Sequence, residues 1–202
     1  MKHSVKRILF LALIVIVWSC NELPKKGSDS EKKVAKTEKK AKKNAKKELL
    51  EQLKNTKPVD VADLEAWIPK TLGGLSHERT KSLGMYGEDV AMMGWYKRKE
   101  DKIIILYIYD AAGPDGTMIS NKINVLGTER ESDVETQQHR SVNVKGRMAR
   151  QIYETKANMT TISFFHKKRF MIMITAHDHS VEETWNLVDE LDFMALDDLA
   201  KQ

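Results

Sequence analysis

The sequence predicts an α+β fold: an antiparallel sheet of about five strands with two to three helices packed on it, preceded by a lysine-rich, partly helical tether. Three observations carry that expectation. Alternating apolar segments separated by short polar turns recur through the second half of the chain. Helical signals stand at the ends of this region and in one insertion, not between successive strands. Between residues 20 and 57 the composition shifts to Lys, Ala and Glu, which favours a solvated helix over a packed element.

The chain has 202 residues, a net charge of +5 and one cysteine. Taken whole, the charge suggests a nucleic-acid or membrane-surface partner. Its distribution says otherwise. Residues 1–19 carry +3 and residues 20–57 carry thirteen lysines against six acids, +7, which leaves residues 58–202 at −5. The basic character belongs to the leader and the tether, and no aromatic residues interleave with the tether lysines. Nucleic acid is therefore not the expected partner. With a single cysteine there is no internal disulfide, so the domain of 58–202 must be held by its own core.

Residues 1–19 read as a three-part signal sequence. Lys2, Lys6 and Arg7 form a positive start, Ile8 to Val17 is an unbroken apolar run, and Trp18-Ser19-Cys20 ends it. That run rises roughly 15 Å as a helix, about half a bilayer, which is short for a permanent span. Val17-Trp18-Ser19-Cys20 resembles the cleavage box of bacterial lipoproteins. The resemblance implies that Cys20 is lipidated and becomes the mature N-terminus. The alternative reading of the same residues is an uncleaved signal anchor with Trp18 at the interface. Either way the expected location is the outward-facing side of a membrane in the bacterial cell envelope, inner or outer membrane unresolved.

Residues 20–57 follow as the tether. Pro24, Gly27 and nearby serines make its first stretch irregular. From Glu31 onward only Val34, Ala41, Ala45, Leu49 or Leu50, and Leu53 offer a thin apolar stripe. Its lysines suit either a spacer or contact with an anionic surface.

The domain of 58–202 opens with a short helix, VADLEAW, capped by Asp60 and closed by Pro69. Gly73-Gly74 lead into a poorly patterned run to Gly87. Val90–Tyr96 and Ile103–Tyr109 form a hairpin about a polar turn at Lys99–Lys102, and Gly113-Pro114-Asp115-Gly116 turns into a helix carrying Met118, Ile119, Ile123 and Leu126. Glu129 to Gln138 reads as a surface loop. Three strands then succeed one another: Ser141–Tyr153, with Gly146 as a candidate break, Thr160–His166 and Phe170–Ala176. Ser180-Val181-Glu182-Glu183 is a capping box opening the last long helix, and Phe193, Leu196 and Leu199 fold down as a final turn. IIILYIY and FMIMITA are apolar on both faces, so both should be central strands covered twice. One cover is supplied by helices. The other must come from the N-terminal helix, from a curling sheet, or from a ligand or second copy, so a homo-oligomer is an open expectation.

The stretch RFMIMITAHDHSVEETWNLVDELDFMAL, with WIPKTLGG earlier, is similar to segments of uncharacterised bacterial lipoproteins with α+β domains. These segments carry no functional residues to transfer.

Candidate chemistry is sparse. His177 and His179, two apart at a strand end, are the residues placed to begin a zinc or copper site, with His166 as a third ligand. The alternative is a polar turn ahead of the Ser180 cap. Met171 and Met173 share a strand face and suit core filling better than cuprous ions. No nucleophile elbow, zincin helix, phosphate loop or dinucleotide fingerprint is present. The sequence thus assigns no catalytic residue, cofactor or metal, and one modification, lipid on Cys20. The expectation is a membrane-anchored, non-catalytic binding or scaffolding domain that meets an envelope protein or polymer. The alternative is a metal- or small-ligand-binding lipoprotein using the His177/His179 region.

Overall fold

A computed structural model describes residues 28–85, 88–97, 102–114, 116–124, 126 and 131–201. The leader, Cys20 and the first part of the tether lie outside the described residues. So do Lys99–Asp101, Asp115 and Glu129 of the turns and loop read from sequence.

Among the described residues, 28–42 are helical and form one unit, and those from 43 to 201 form another. The tether helix α1 is Ser28–Lys54 and the short α2 is Val61–Trp67. Among the described residues nine strands follow: β1 Thr71–Leu72, β2 Leu75–Met85, β3 Glu88–Lys97, β4 Ile103–Asp110, β5 Ser132–Val134, β6 Gln137–Val144, β7 Arg147–Glu154, β8 Met159–His166 and β9 Phe170–His177. Between β4 and β5 lie one helical turn, α3 (Thr117–Ser120), and a 3-10 turn, Asn121–Asn124. Helices α4 (Val181–Asp189) and α5 (Phe193–Leu199) close the chain.

All nine strands belong to one antiparallel sheet in the order β1-β2-β3-β4-β9-β8-β7-β6-β5. Two meanders, one from each half, are joined where β4 pairs with β9. This corrects the expected five-strand α+β domain, because strand dominates and four strands were not foreseen.

Each omission has a physical reason. The run read as poorly patterned is β2, an eleven-residue strand rich in charge, which pairs with β3 through two register shifts. Its alternation is lost where the bulges reset the side-chain phase. Gly146 is a hairpin turn and not a kink, so the segment 141–153 supplies two strands. The loop read at 129–138 holds β5 and the start of β6, where polar side chains on a sheet edge give no apolar signal. Thr71–Leu72 is too short to show a period. The helix read from Met118 to Leu126 is one turn of α-helix followed by the 3-10 turn.

One sheet face carries the main core. In β4 every second residue is buried, with Ile104, Leu106 and Ile108 pointing in. Ile172, Ile174, Ile162 and Phe164 extend that row, and Leu64 and Trp67 of α2, Leu187 and Val188 of α4 and Leu196 of α5 cover it. The capping box forms as its sequence implies: Glu183 N donates to Ser180 Oγ at 3.2 Å and Ser180 N to Glu183 Oε2 at 2.7 Å. Trp67 Nε1 donates to Asp192 O at 2.7 Å, tying α2 to the α4–α5 link.

The opposite face has a smaller cover. Leu49 and Leu53, in the last turns of α1, pack with Ala111, Ile119 and Met171 and against Tyr109 and Phe165. The thin apolar stripe of the tether is used at its C-terminal end.

Candidate functional site

The second sheet face is built by strand alternation from the residues that the main core does not use. Register places Trp95 opposite Ile105, Tyr107 opposite Met93 and Met173, and Ser163 opposite Met173 and Arg150. Trp95, Ile105, Tyr107 and Met173 are each half-buried. Arg79, across from Trp95, lays its guanidinium over the indole at 4.5 Å. Tyr107 and Tyr109 stack at 6.3 Å. Burial raises both phenol pKa values, and the neighbouring Tyr107 raises that of Tyr109 further. Neither hydroxyl is a ready phenolate at neutral pH.

Two cavities share Leu126 as a wall, one on this face and one at the end of the sheet. One, of about 260 Å³, has Met171, Met173, Ile152 and Arg150 in its lining. The other, of about 330 Å³, sits between the β6–β7 and β8–β9 turns and is lined by Met148, Phe165, Arg147, His166, Lys167 and Lys168. Antiparallel pairing brings these two turns to the same end of the sheet.

That end is basic, and its charges are unevenly satisfied. Asp197 of α5 takes two of them, with His166 Nε2 at 2.7 Å from Oδ1 and Lys167 Nζ at 2.6 Å from Oδ2. Burial pushes the Asp197 carboxyl up, but the hydrogen bonds and charges of Lys167 and His166 outweigh it and hold its pKa below the usual carboxylate value. Arg147 lies over the Phe193 ring at 4.7 Å, and His166 stacks on the same ring at 4.9 Å. Among the described residues neither Arg147 nor Lys168 makes an ion pair.

The β8–β9 turn is strained. Lys167 and Lys168 both have left-handed backbones, φ 46° and 57°, and Arg169 N closes the turn on His166 O at 3.0 Å. Asn and Gly are the residues that take this conformation at low cost. Two consecutive lysines there are a costly choice, and strain of this kind clusters at functional sites.

The histidines read as a metal nucleus do not converge. β9 ends at His177, and Asp178 turns the chain with a left-handed φ of 54°. His179 is buried, with its Nδ1 donating to His177 O at 2.6 Å, and Thr160 Oγ1 donates to His179 O at 2.9 Å. His166 pairs with Phe170 at one end of the β8–β9 hairpin, whereas His177 pairs with Met159 at the other. Among the described residues no three His, Cys, Asp or Glu side chains gather to hold a metal. Met171 and Met173 share one face of β9 as expected, Met171 in the smaller cluster and both in the lining of a cavity. Cys20 lies outside the described residues.

Sequence reasoning passed over Arg147, Met148 and Arg150, and gave Lys167-Lys168 no role beyond that of a short polar turn between two strands. The signal that marks this turn as unusual is two lysines at positions that favour Asn-Gly, as Lys145-Gly146 half satisfies at the neighbouring turn.

Among the described residues no helix is long and apolar enough to cross a membrane. No family model, curated protein or solved structure matches this chain.

Proposed function

We propose that this protein is a non-catalytic binding module of the bacterial cell envelope, tethered through Cys20, whose contact surface is the second face of its sheet. The observation that carries this is the row Trp95, Ile105, Tyr107 and Met173. These large side chains occupy the centre of the sheet and remain half-buried. Large side chains left half-covered beside one another on one sheet face offer an apolar surface to a partner. The leader residues and the lysine-rich segment support the tethered location, and the apolar row favours an apolar contact over a polar polymer.

The test is in-cell photo-crosslinking with a reactive amino acid at Tyr107, compared with one at Glu182 on the exposed side of α4. A discrete adduct at Tyr107, absent at Glu182 and lost in Cys20→Ser, supports the reading. Equal adducts at both positions, or none at Tyr107, would sink it.

A further inference from the structure

We infer that the two cavities that share Leu126 as a wall bind a single-chain amphiphilic anion, with its acid head between the β6–β7 and β8–β9 turns and its apolar chain along β7, β8 and β9. The inference deepens the binding-module reading and rests on it for the choice of face.

Charge complementarity places the head. Asp197 already holds His166 and Lys167, and among the described residues Arg147 and Lys168 are the cations of this end with no carboxylate partner. Both line the same cavity. Lys168 is exposed and held in a left-handed backbone that a lysine does not choose for stability. A carboxylate or phosphate between the turns meets Lys168 and lies within the field of Arg147, whose guanidinium rests over Phe193 on the α5 side, without displacing an existing ion pair.

The lining chemistry places the chain. Leading away from the turns, the walls are Met148, Phe165, Met171, Met173 and Ile152, roofed by Leu126. Methionine is unbranched and soft, so a methionine-lined trough adapts to a flexible chain better than a rigid aliphatic wall does. Arg150 crosses this path with its Nη2 bonded to His139 Nδ1 at 3.0 Å, which anchors one side of the guanidinium at the wall. Each cavity is near the lower bound of small-ligand sites, roughly 300 Å³, and together they suit a long narrow molecule.

The experiment is methionine-methyl NMR of the full chain in phosphatidylcholine nanodiscs. Three probes separate the contributions: dodecanoate has chain and anion, butanoate the anion alone, and dodecyltrimethylammonium the chain with a cation. The expected result is a saturable shift of the Met148, Met171 and Met173 methyls with dodecanoate only, while exposed Met194 stays still. Lys168→Gly should weaken the dodecanoate midpoint about threefold to fivefold, the size of one exposed ion pair. It relaxes the turn, so loss of folding does not confound that readout. Ile152→Glu should abolish the shifts. Equal response to either control probe, no saturable response, or an unchanged midpoint in Lys168→Gly would overturn the inference. If dodecanoate fails while the Tyr107 adduct persists in cells, the ligand class is wrong and the binding-module reading stands. If the Tyr107 adduct is absent and dodecanoate binds, the cavity stands and the central face is not the contact surface.

Discussion

Arg169 grips Asp110 with a two-pronged bond, Nε to Oδ1 at 2.9 Å and Nη2 to Oδ2 at 2.8 Å, across the β4–β9 junction. Both side chains are almost wholly buried. Asp110 also accepts from Val59 N and Ala112 N, while Arg169 donates to Lys57 O and Ala200 O. One ion pair thus joins the end of the tether, the centre of the sheet and the C-terminal end of the chain.

Removing one partner leaves the other buried and unpaired. Arg169→Met is expected to cost about 3–5 kcal/mol in denaturant unfolding. The double variant Asp110→Ala, Arg169→Met should be less destabilised than the two single losses added together, because neither charge is then stranded. An additive double variant would show that the pair is not coupled.

Asp197 gives a pH dependence with a definite sign. Its folded pKa is below the unfolded value, so the native state binds its proton less readily. The resulting stability is fully present above the ordinary carboxylate pKa, about 4, and is lost as pH falls through the lower folded value. Urea midpoints measured from neutral to acid pH should therefore fall less steeply in Asp197→Asn than in the parent. Parallel curves would refute this.

The left-handed turn predicts a stabilising substitution. Lys168→Gly removes the Cβ conflict, worth about 1–2 kcal/mol, and adds glycine's larger folding entropy cost. A net gain of about 0.5–1 kcal/mol should appear as a raised melting temperature. A loss of stability would mean that the lysine side chain supports the turn.

Close packing of Ile68 on the sheet predicts the opposite at Gly94. A Cβ there would lie 2.7 Å from Ile68 Cγ2 and 3.3 Å from the Tyr96 ring. Gly94→Ala should destabilise by about 1–3 kcal/mol, and shortening the neighbour in Ile68→Ala should recover less than it costs. An unchanged melting temperature in Gly94→Ala would show that α2 can move away freely.

Much of the local structure was legible in the residues. The β3–β4 hairpin, β8, β9, the Asp60 and Ser180 caps and the central place of β4 and β9 follow from alternation and capping chemistry that act within a few residues, whereas the second face of those central strands is only half-covered. Besides the bulges of β2, the Gly146 turn and the shortness of β1, a lack of apolar signal explains what was missed. In β2, β5 and β6 the backbone is held by pairing with a neighbour, and polar side chains are tolerated because so little of each strand is buried.

The candidate site was legible only in fragments. The lysine turn, Met148 and Arg150 sit far from Leu126 and Lys122 in sequence, and each alone is an ordinary turn or strand residue. Pairing of β7, β8 and β9 makes them neighbours. The histidines show the converse, since Asp178 turns the chain after His177 and His166 lies at the other end of the β8–β9 hairpin.

By itself the sequence determined charge segregation, the helical tether, the caps and the apolar central strands, because propensity and periodicity are local. Tertiary structure alone decided the nine-strand order, the meeting of β4 with β9, the Asp110–Arg169 fork and which cations are left without a partner. Those depend on pairing between residues distant in the chain, whose energies no local pattern records.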